Sequence, residues 1–216
     1  PQIMQNTLFL NRGDGTFAEI AQYAGVKASE WSWSVIFLDV DFDGYEDLLI
    51  TTGMERDIMD SDANKEVAKL GPLVGDEYLS KRKAFPRLKT PNFIFRNRGD
   101  LRFEDRSAEW GFTMGAVSGG MVVADLDNDG DLDVVINNLG SPTEVYRNDT
   151  PAARVAVRLK GLAPNTQGIG AKIKLIGGPV EQSAEVICGG VYASGSDPLR
   201  VFAAGQTKEG MKLEVT

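Results

Sequence analysis

Two nine-residue stretches concentrate the groups of this chain that could do chemistry. They read Asp39-Val40-Asp41-Phe42-Asp43-Gly44-Tyr45-Glu46-Asp47 and Asp125-Leu126-Asp127-Asn128-Asp129-Gly130-Asp131-Leu132-Asp133. Acids at positions 1, 3 and 5 converge on one centre when the backbone curls, and glycine at position 6 supplies the sharp turn. The backbone carbonyl at position 7, of Tyr45 or Asp131, adds a fourth ligand, and Asp47 or Asp133 at position 9 closes the shell. So many hard oxygens suit Ca²⁺, whereas Mg²⁺ prefers fewer protein ligands and more water. The expected cofactors are therefore two calcium ions. An EF-hand needs Glu at position 12 between helices. Here position 12 is Ile50 or Ile136, with strand-like flanks on both sides. A polar turn facing water is disfavoured, because the five acids on nine residues repel one another. A catalytic metal would need an open coordination position beside an acid or base. The sequence supplies none, so the calcium is expected to be structural.

The rest of the composition narrows the chemistry further. The chain has 216 residues, no histidine, one cysteine and a net charge of −8. Without histidine there is no Ser-His-Asp triad and no His-ligated zinc. A single cysteine allows neither an intrachain disulfide nor a cysteine zinc cluster. Cys188 follows Val186-Ile187 and is expected to be a buried thiol. The acidic balance with no basic stripe argues against nucleic acid as a partner. No apolar run is long enough to span a bilayer, so no membrane insertion is expected.

The elements that carry the Asp loops recur. Asn6-Thr-Leu-Phe-Leu-Asn11-Arg-Gly-Asp-Gly-Thr-Phe17 returns 86 residues later as Asn92-Phe-Ile-Phe-Arg-Asn97-Arg-Gly-Asp-Leu-Arg-Phe103. The same offset carries Gly25 to Gly111, Ser32 to Ser118 and the first Asp loop onto the second, with no gap. A third copy begins at Val145-Tyr146-Arg147-Asn148 and breaks at Thr150-Pro151. Asn97 to Asn148 spans only 51 residues, so the first unit holds about 35 extra ones. Short apolar runs such as Leu8–Leu10 and Phe93–Phe95 end in Asn-Arg-Gly-Asp turns. Ser34–Leu38 and Gly120–Ala124 enter the Asp loops, and Leu48–Thr52 and Leu132–Ile136 leave them. Such short strands in units of about 50 residues suggest propeller blades.

The units are a first repeat at 1–52, an insertion at 53–89, a second repeat with the start of a third at 90–150, and a separate domain at 152–216. In the insertion, Ala63–Leu70 and Asp76–Ala84 favour helix, with Ser61 and Asp76 as caps. Its basic cluster of Lys81, Arg82, Lys83, Arg87 and Lys89 is expected to be a solvated face. In the last domain Val155, Val157 and Leu159 alternate with Arg154, Arg158 and Lys160, as in a half-buried strand. The expected fold is all-β: propeller-type blades forming a partial propeller, a short helical insertion, and a small C-terminal β-sandwich-like domain.

The repeat Asn-x-x-Phe-x-Asn-x-Gly-Asp-Gly-x-Phe, followed by Asp-x-Asp-x-Asp-Gly-x-x-Asp, resembles the FG-GAP or VCBS repeat of integrin-α-like β-propellers. Leu159-Lys-Gly161, Gly168-Ile-Gly170-Ala171, Gln182, Glu185-Val186, Gly190-Val-Tyr192-Ala-Ser194 and Leu199-Arg-Val-Phe202 are similar to the ASPIC/UnbV domain. The resemblance implies a non-catalytic protein that is secreted, periplasmic or on the cell surface, with bacterial members commonly exported. A closed propeller of that type needs about seven blades, so further blades are expected upstream. The expected role is a calcium-stabilised binding or adhesion module with a glycan or protein ligand. Two alternatives stand beside it: part of a carboxylate-dependent polysaccharide-degrading enzyme, with Glu19, Glu104 and Glu109 as candidate acids, or a purely structural domain of a larger exported complex.

Three further motifs have simpler readings. Arg12-Gly13-Asp14 and Arg98-Gly99-Asp100 spell an integrin-recognition tripeptide, but both sit in the same repeated turn, which explains Gly and Asp by itself. Trp31 and Trp33 could share one strand face, where packing is the simpler role than sugar stacking. Asn148-Asp-Thr150 has the form of a glycosylation sequon.

Overall fold

The computed structural model describes residues 5–71, 75–206 and 210–216, apart from the side chains of Tyr78 and Leu79. A short hairpin, β1 (Phe9–Asn11) and β2 (Phe17–Glu19), leads into a single helical turn, α1 (Ala21–Ala24). The first long strands follow as β3 (Ser32–Leu38) and β4 (Asp47–Thr52), with the first Asp loop between them. The insertion then contributes α2 (Ser61–Ala68) and α3 (Asp76–Arg82). It returns through β5 (Thr90–Pro91) to β6 (Phe93–Asn97) and β7 (Phe103–Asp105). After β8 (Gly115–Ala116), β9 (Ser118–Ala124) and β10 (Asp133–Asn138) flank the second Asp loop, and β11 (Glu144–Tyr146) follows.

Every pairing is antiparallel, and the sheet orders show a phase that the sequence repeat hides. One complete four-stranded blade runs β3-β4-β6-β7. It draws two strands from each side of the insertion. Among the described residues, the outer two strands of another blade, β1 and β2, stand before it, and a three-stranded sheet, β9-β10-β11, stands after it. Each repeat therefore ends one sheet and begins the next. That phase lets Asn6 and Asn92 tie neighbouring blades together. The Asn6 side chain accepts from Ser32 Oγ at 3.3 Å, and Asn92 Nδ2 donates to Ser118 Oγ at 3.0 Å.

Strand alternation divides the apolar residues of the complete blade between two faces. Leu48, Ile50 and Phe95 face α1, where they pack with Ala21, Ala24 and Val26. Ile36, Leu49 and Ile94 face the next blade and pack with Met121, Val134 and Ile136. Between the blades runs a buried polar chain. Thr52 N–H donates to Asn92 Oδ1 (2.9 Å), Ser118 Oγ donates to Asn138 Oδ1 (2.7 Å), and Asn138 Nδ2 donates to Glu144 Oε1 (2.7 Å). Gly53 is needed where the insertion leaves. Its φ is +115°, and a Cβ there would lie 2.6 Å from the Ala116 carbonyl oxygen.

The C-terminal domain has two small sheets. One pairs β12 (Arg154–Val157) with β15 (Arg200–Ala203), and the other runs β14 (Gln182–Glu185), β13 (Lys172–Ile176), β16 (Lys212–Val215). Ile173, Leu175, Val186 and Phe202 form its core. It docks on the inner strands of the blades. Leu199 joins the inter-blade core, Val123 N–H donates to Ser196 Oγ (3.1 Å), and Tyr192 packs on Trp33 with ring centroids 5.0 Å apart.

Three local expectations need correction. Asp60, not Ser61, caps α2, its carboxylate accepting from the Asp62 and Ala63 N–H groups. α3 begins at Asp76 itself, after Gly75, with no side-chain cap. Cys188 is exposed. Val186 completes the small core, and the chain then turns outward towards Gly189 and Gly190, both at positive φ.

Candidate metal centres

Both Asp loops join the first two strands of a blade, and both close by the same hydrogen bonds. Position 1 anchors the curl. Asp39 accepts from Asp43 N–H (3.1 Å) and Gly44 N–H (2.8 Å), and Asp125 accepts from Asp129 N–H and Gly130 N–H (both 3.2 Å). Position 5 accepts from position 7: Tyr45 N–H to Asp43 (2.9 Å) and Asp131 N–H to Asp129 (3.0 Å). Glycine at position 6 is left-handed, at φ +99° and +89°. Position 4 is left-handed too, in Phe42 (φ 54°) and Asn128 (φ 62°), which nothing in the residue pattern announced.

Position 9 also ties its loop to the rest of the blade. Asp47 accepts from Val40 N–H (3.0 Å) within its loop and from Asn97 N–H (2.8 Å) on β6. Asp133 accepts from Leu126 N–H and Asn148 N–H, both at 2.9 Å. Each carboxylate thus binds its loop to the third strand of the blade. The Asn side chains at these places serve the turns: Asn97 Nδ2 donates to Glu46 O (3.0 Å) and Asn148 Nδ2 to Val40 O (3.1 Å), while their Oδ1 atoms accept from Gly99 and Thr150 N–H (both 3.0 Å).

The carboxylates that gather are three per loop, and the sets differ. Oxygens of Asp39, Asp41 and Asp43 lie within 4.8 Å of one another in the first loop, as do those of Asp125, Asp127 and Asp133 in the second. Arginines account for the difference. Arg96 on β6 pairs with Asp41 and Asp43, at 2.5 Å each. Arg154 on β12 pairs with Asp129 at 2.9 Å and lies 3.2 Å from Asp131. The Asp131 side chain is fully buried, and neither of its oxygens receives a hydrogen bond. The sequence offered only its carbonyl as a ligand; its carboxylate proves to be the most confined charge in the loop.

Burial raises these carboxyls. Asp39 and Asp47 are pushed up to about 7, first by desolvation and then by neighbouring Asp charges, against the lowering effect of their N–H donors. Asp131 also rises to about 7 by desolvation, with Arg154 pulling the other way. Burial raises Asp43 as well. Carboxyls in such places are short of positive charge. Converging acid oxygens with an orphaned buried carboxylate beside them fit a hard divalent cation.

The other candidate residues are tied into the scaffold. Glu19 accepts from the Leu8 and Ala21 N–H groups (3.2 and 2.8 Å). Glu104 and Glu109 both pair with Arg106. In both Arg-Gly-Asp turns the preceding Asn accepts from the Gly N–H, Asn11 from Gly13 (2.8 Å) and Asn97 from Gly99 (3.0 Å). Asn148 Nδ2 donates to Val40 O (3.1 Å), so the sequon nitrogen is already used in packing. Trp33 Nε1 donates to Gly53 O (2.6 Å), which fixes the ring against the fold.

Residues 3–50 and 86–136 match the FG-GAP-like repeat family, and residues 161–216 match the family described as ASPIC and UnbV. Among curated proteins, none matches the chain.

Proposed function

We propose that this chain, which belongs to the FG-GAP-like repeat proteins and carries an ASPIC and UnbV domain, is a calcium-stabilised, non-catalytic binding or adhesion module. FG-GAP-like repeats suggest an extracellular or cell-surface propeller module. Among the described residues no helix is long and apolar enough to cross a membrane. The single observation that carries the cation reading is the pair of matched loops, each gathering three carboxylates within 4.8 Å. In the first loop Asp39, Asp41 and Asp43 would hold the ion, with Tyr45 O beside them. In the second, Asp125, Asp127 and Asp133 would do so. A bound cation would add positive charge among carboxylates of which Asp39 and Asp133 are buried, and with it hold the turn between the first two strands.

The non-catalytic reading is supported by where the acids go. Glu19 serves backbone N–H groups, and Glu104 and Glu109 share one arginine. The ligand is a glycan or a protein presented to the blade loops or the insertion. Calorimetric titration of chelator-treated protein with Ca²⁺ tests the reading. Two sites are expected, and Asp125→Asn with Asp127→Asn removes one. A flat titration, or one unchanged by those substitutions, refutes it.

A further inference from the structure

Given the cation reading above, on which it rests, we propose that the two Asp loops act as one coupled pair. Asn148 and Thr150 are the positioning residues that make an ion in one loop favour an ion in the other. The link forms where the third copy of the repeat breaks, at Thr150-Pro151.

The two copies of the same asparagine show what the break does. Asn97 serves its own loop twice: its N–H donates to Asp47 (2.8 Å) and its Nδ2 to Glu46 O (3.0 Å). Asn148 keeps the first of these bonds, its N–H donating to Asp133 at 2.9 Å. Its Nδ2 turns to the neighbouring loop instead and donates to Val40 O (3.1 Å), where Thr150 Oγ1 also donates (3.0 Å). Asn148 Oδ1 accepts from Thr150 N–H (3.0 Å), which holds the two donors together. In the first copy Gly99 stands where Thr150 does, with the same bond to Asn97 Oδ1 but no hydroxyl to offer. Val40 N–H in turn donates to Asp47 (3.0 Å). A line of hydrogen bonds therefore runs from Asp133 through Asn148 and Val40 to Asp47, joining the position 9 carboxylates of the two loops.

A second link lies beside the first. Arg154 pairs with Asp129 of the second loop, and its guanidinium carbon lies 5.4 Å from the centre of the Phe42 ring of the first. Its Nη1 donates to Thr150 O (2.8 Å), so both links meet at Thr150. Phe42 is buried at a left-handed φ. A bulky residue is uncommon in that conformation, and here its ring faces the arginine that holds the other loop.

These links set the sign of the coupling. An ion that fixes Asp133 also fixes Asn148, Thr150 and Val40, so the first loop has less left to order when its own ion arrives. Ordering shared between two binding events gives positive cooperativity. Repulsion between two bound ions opposes it, and salt screens that repulsion. Linkage makes the effect mutual.

The test titrates the chelator-treated 216-residue chain with Ca²⁺ in about 0.5 M salt, where the screening length falls to about 4 Å. Calorimetry gives the affinities, and the Gly44 and Gly130 amide resonances report the two loops separately. Asp125→Asn with Asp127→Asn empties the second loop. The first loop should then bind at least about fivefold more weakly than it does in the parent with the second loop filled. Asn148→Ala keeps the N–H on Asp133 and removes the side-chain link. In that background the first loop should bind alike whether the second is filled or empty, an outcome that a merely structural role for Asn148 would not produce. Thr150→Val should reduce the coupling in the same direction, and serves alone should Asn148→Ala not fold. Thr150→Ser, which keeps the hydroxyl, should restore it. A first-loop affinity that is unchanged or higher when the second loop is empty overturns the coupling and leaves the cation reading standing. So does a loss that persists in full in Asn148→Ala and Thr150→Val, which would trace to charge and not to the link. A flat titration of the parent overturns the cation reading and the coupling with it.

Discussion

Without a cation, folding should weaken as pH rises, because Asp39 is a carboxyl whose folded-state pKa lies near 7. The unfolded chain gives an Asp its ordinary value of about 3.9. A raised folded value means that the native state binds the proton more tightly. Its contribution is complete below about pH 4 and is lost as pH climbs through 7. Between pH 5 and pH 8 this one group surrenders about two pH units of linkage, or about 3 kcal/mol at 1.36 kcal/mol per unit. In a domain of this size that is a fall of roughly 6–12 °C in melting temperature. Asp47 shares the site and the direction, so the two effects are coupled and do not simply add.

The assay is a melting series in EDTA at pH 5, 6, 7 and 8, on the parent and on Asp39→Asn. The parent should lose stability across the series, and Asp39→Asn, which has no charge to desolvate, should lose distinctly less. Calcium should reverse the order. At 100 times its dissociation constant it adds about 2.7 kcal/mol per site to the native state, and the benefit is greatest at high pH, where the carboxylates are free. A parent curve in EDTA that is flat or rises from pH 5 to 8, together with an Asp39→Asn curve parallel to it, would refute the reasoning.

Other outcomes follow from individual contacts. Arg154→Ala leaves the buried Asp131 without the cation 3.2 Å from it and should cost about 3–5 kcal/mol, read by urea denaturation without metal; Asp131→Asn in the same chain should recover part of it. Asn92→Ala removes the acceptor of Thr52 N–H and the donor to Ser118 in the buried chain, and should cost about 1–3 kcal/mol in the same measurement. Gly53→Ala meets both a strained φ and the Ala116 carbonyl, and should lower the melting temperature by several degrees, for a cost of about 1–3 kcal/mol.

The Asp loops and the β architecture were legible because they are local. Nine residues carry the spacing of a curled loop, and strand alternation shows in runs of five to seven. The 86-residue repeat exposed the blades as a class of element. It could not show their phase, since strand pairing is a long-range choice: β4 pairs with β6 across the whole insertion. Ligand roles were legible by position and not by environment. Its spacing makes Asp47 a closing ligand, and the fold adds what spacing does not show: N–H donors from Val40 and from Asn97, some fifty residues away, on its two oxygens. The arginine partners were invisible for the same reason. The apolar neighbours of Cys188 suggest burial, whereas the turn at Gly189 and Gly190 carries it outward.

The arginines make the two loops unequal in a way the repeat conceals. Arg96 holds Asp41 and Asp43, two of the three gathered acids of the first loop, and is itself about one-third exposed. Arg154 holds Asp129 and faces Asp131, and neither belongs to the gathered set of the second loop. An entering cation must therefore displace or share a guanidinium in the first loop, while in the second Arg147, the counterpart of Arg96, pairs with Asp149 at 2.8 Å and feels Asp127 and Asp133 without an ion pair to either among the described residues. The second loop should bind Ca²⁺ more tightly. Arg96→Gln should strengthen the first site and leave the second unchanged, because a like charge at the ligands opposes the ion. Two-site calorimetry on that variant separates the loops: a weaker first site would show that Arg96 orders the acids for the ion and does not compete with it.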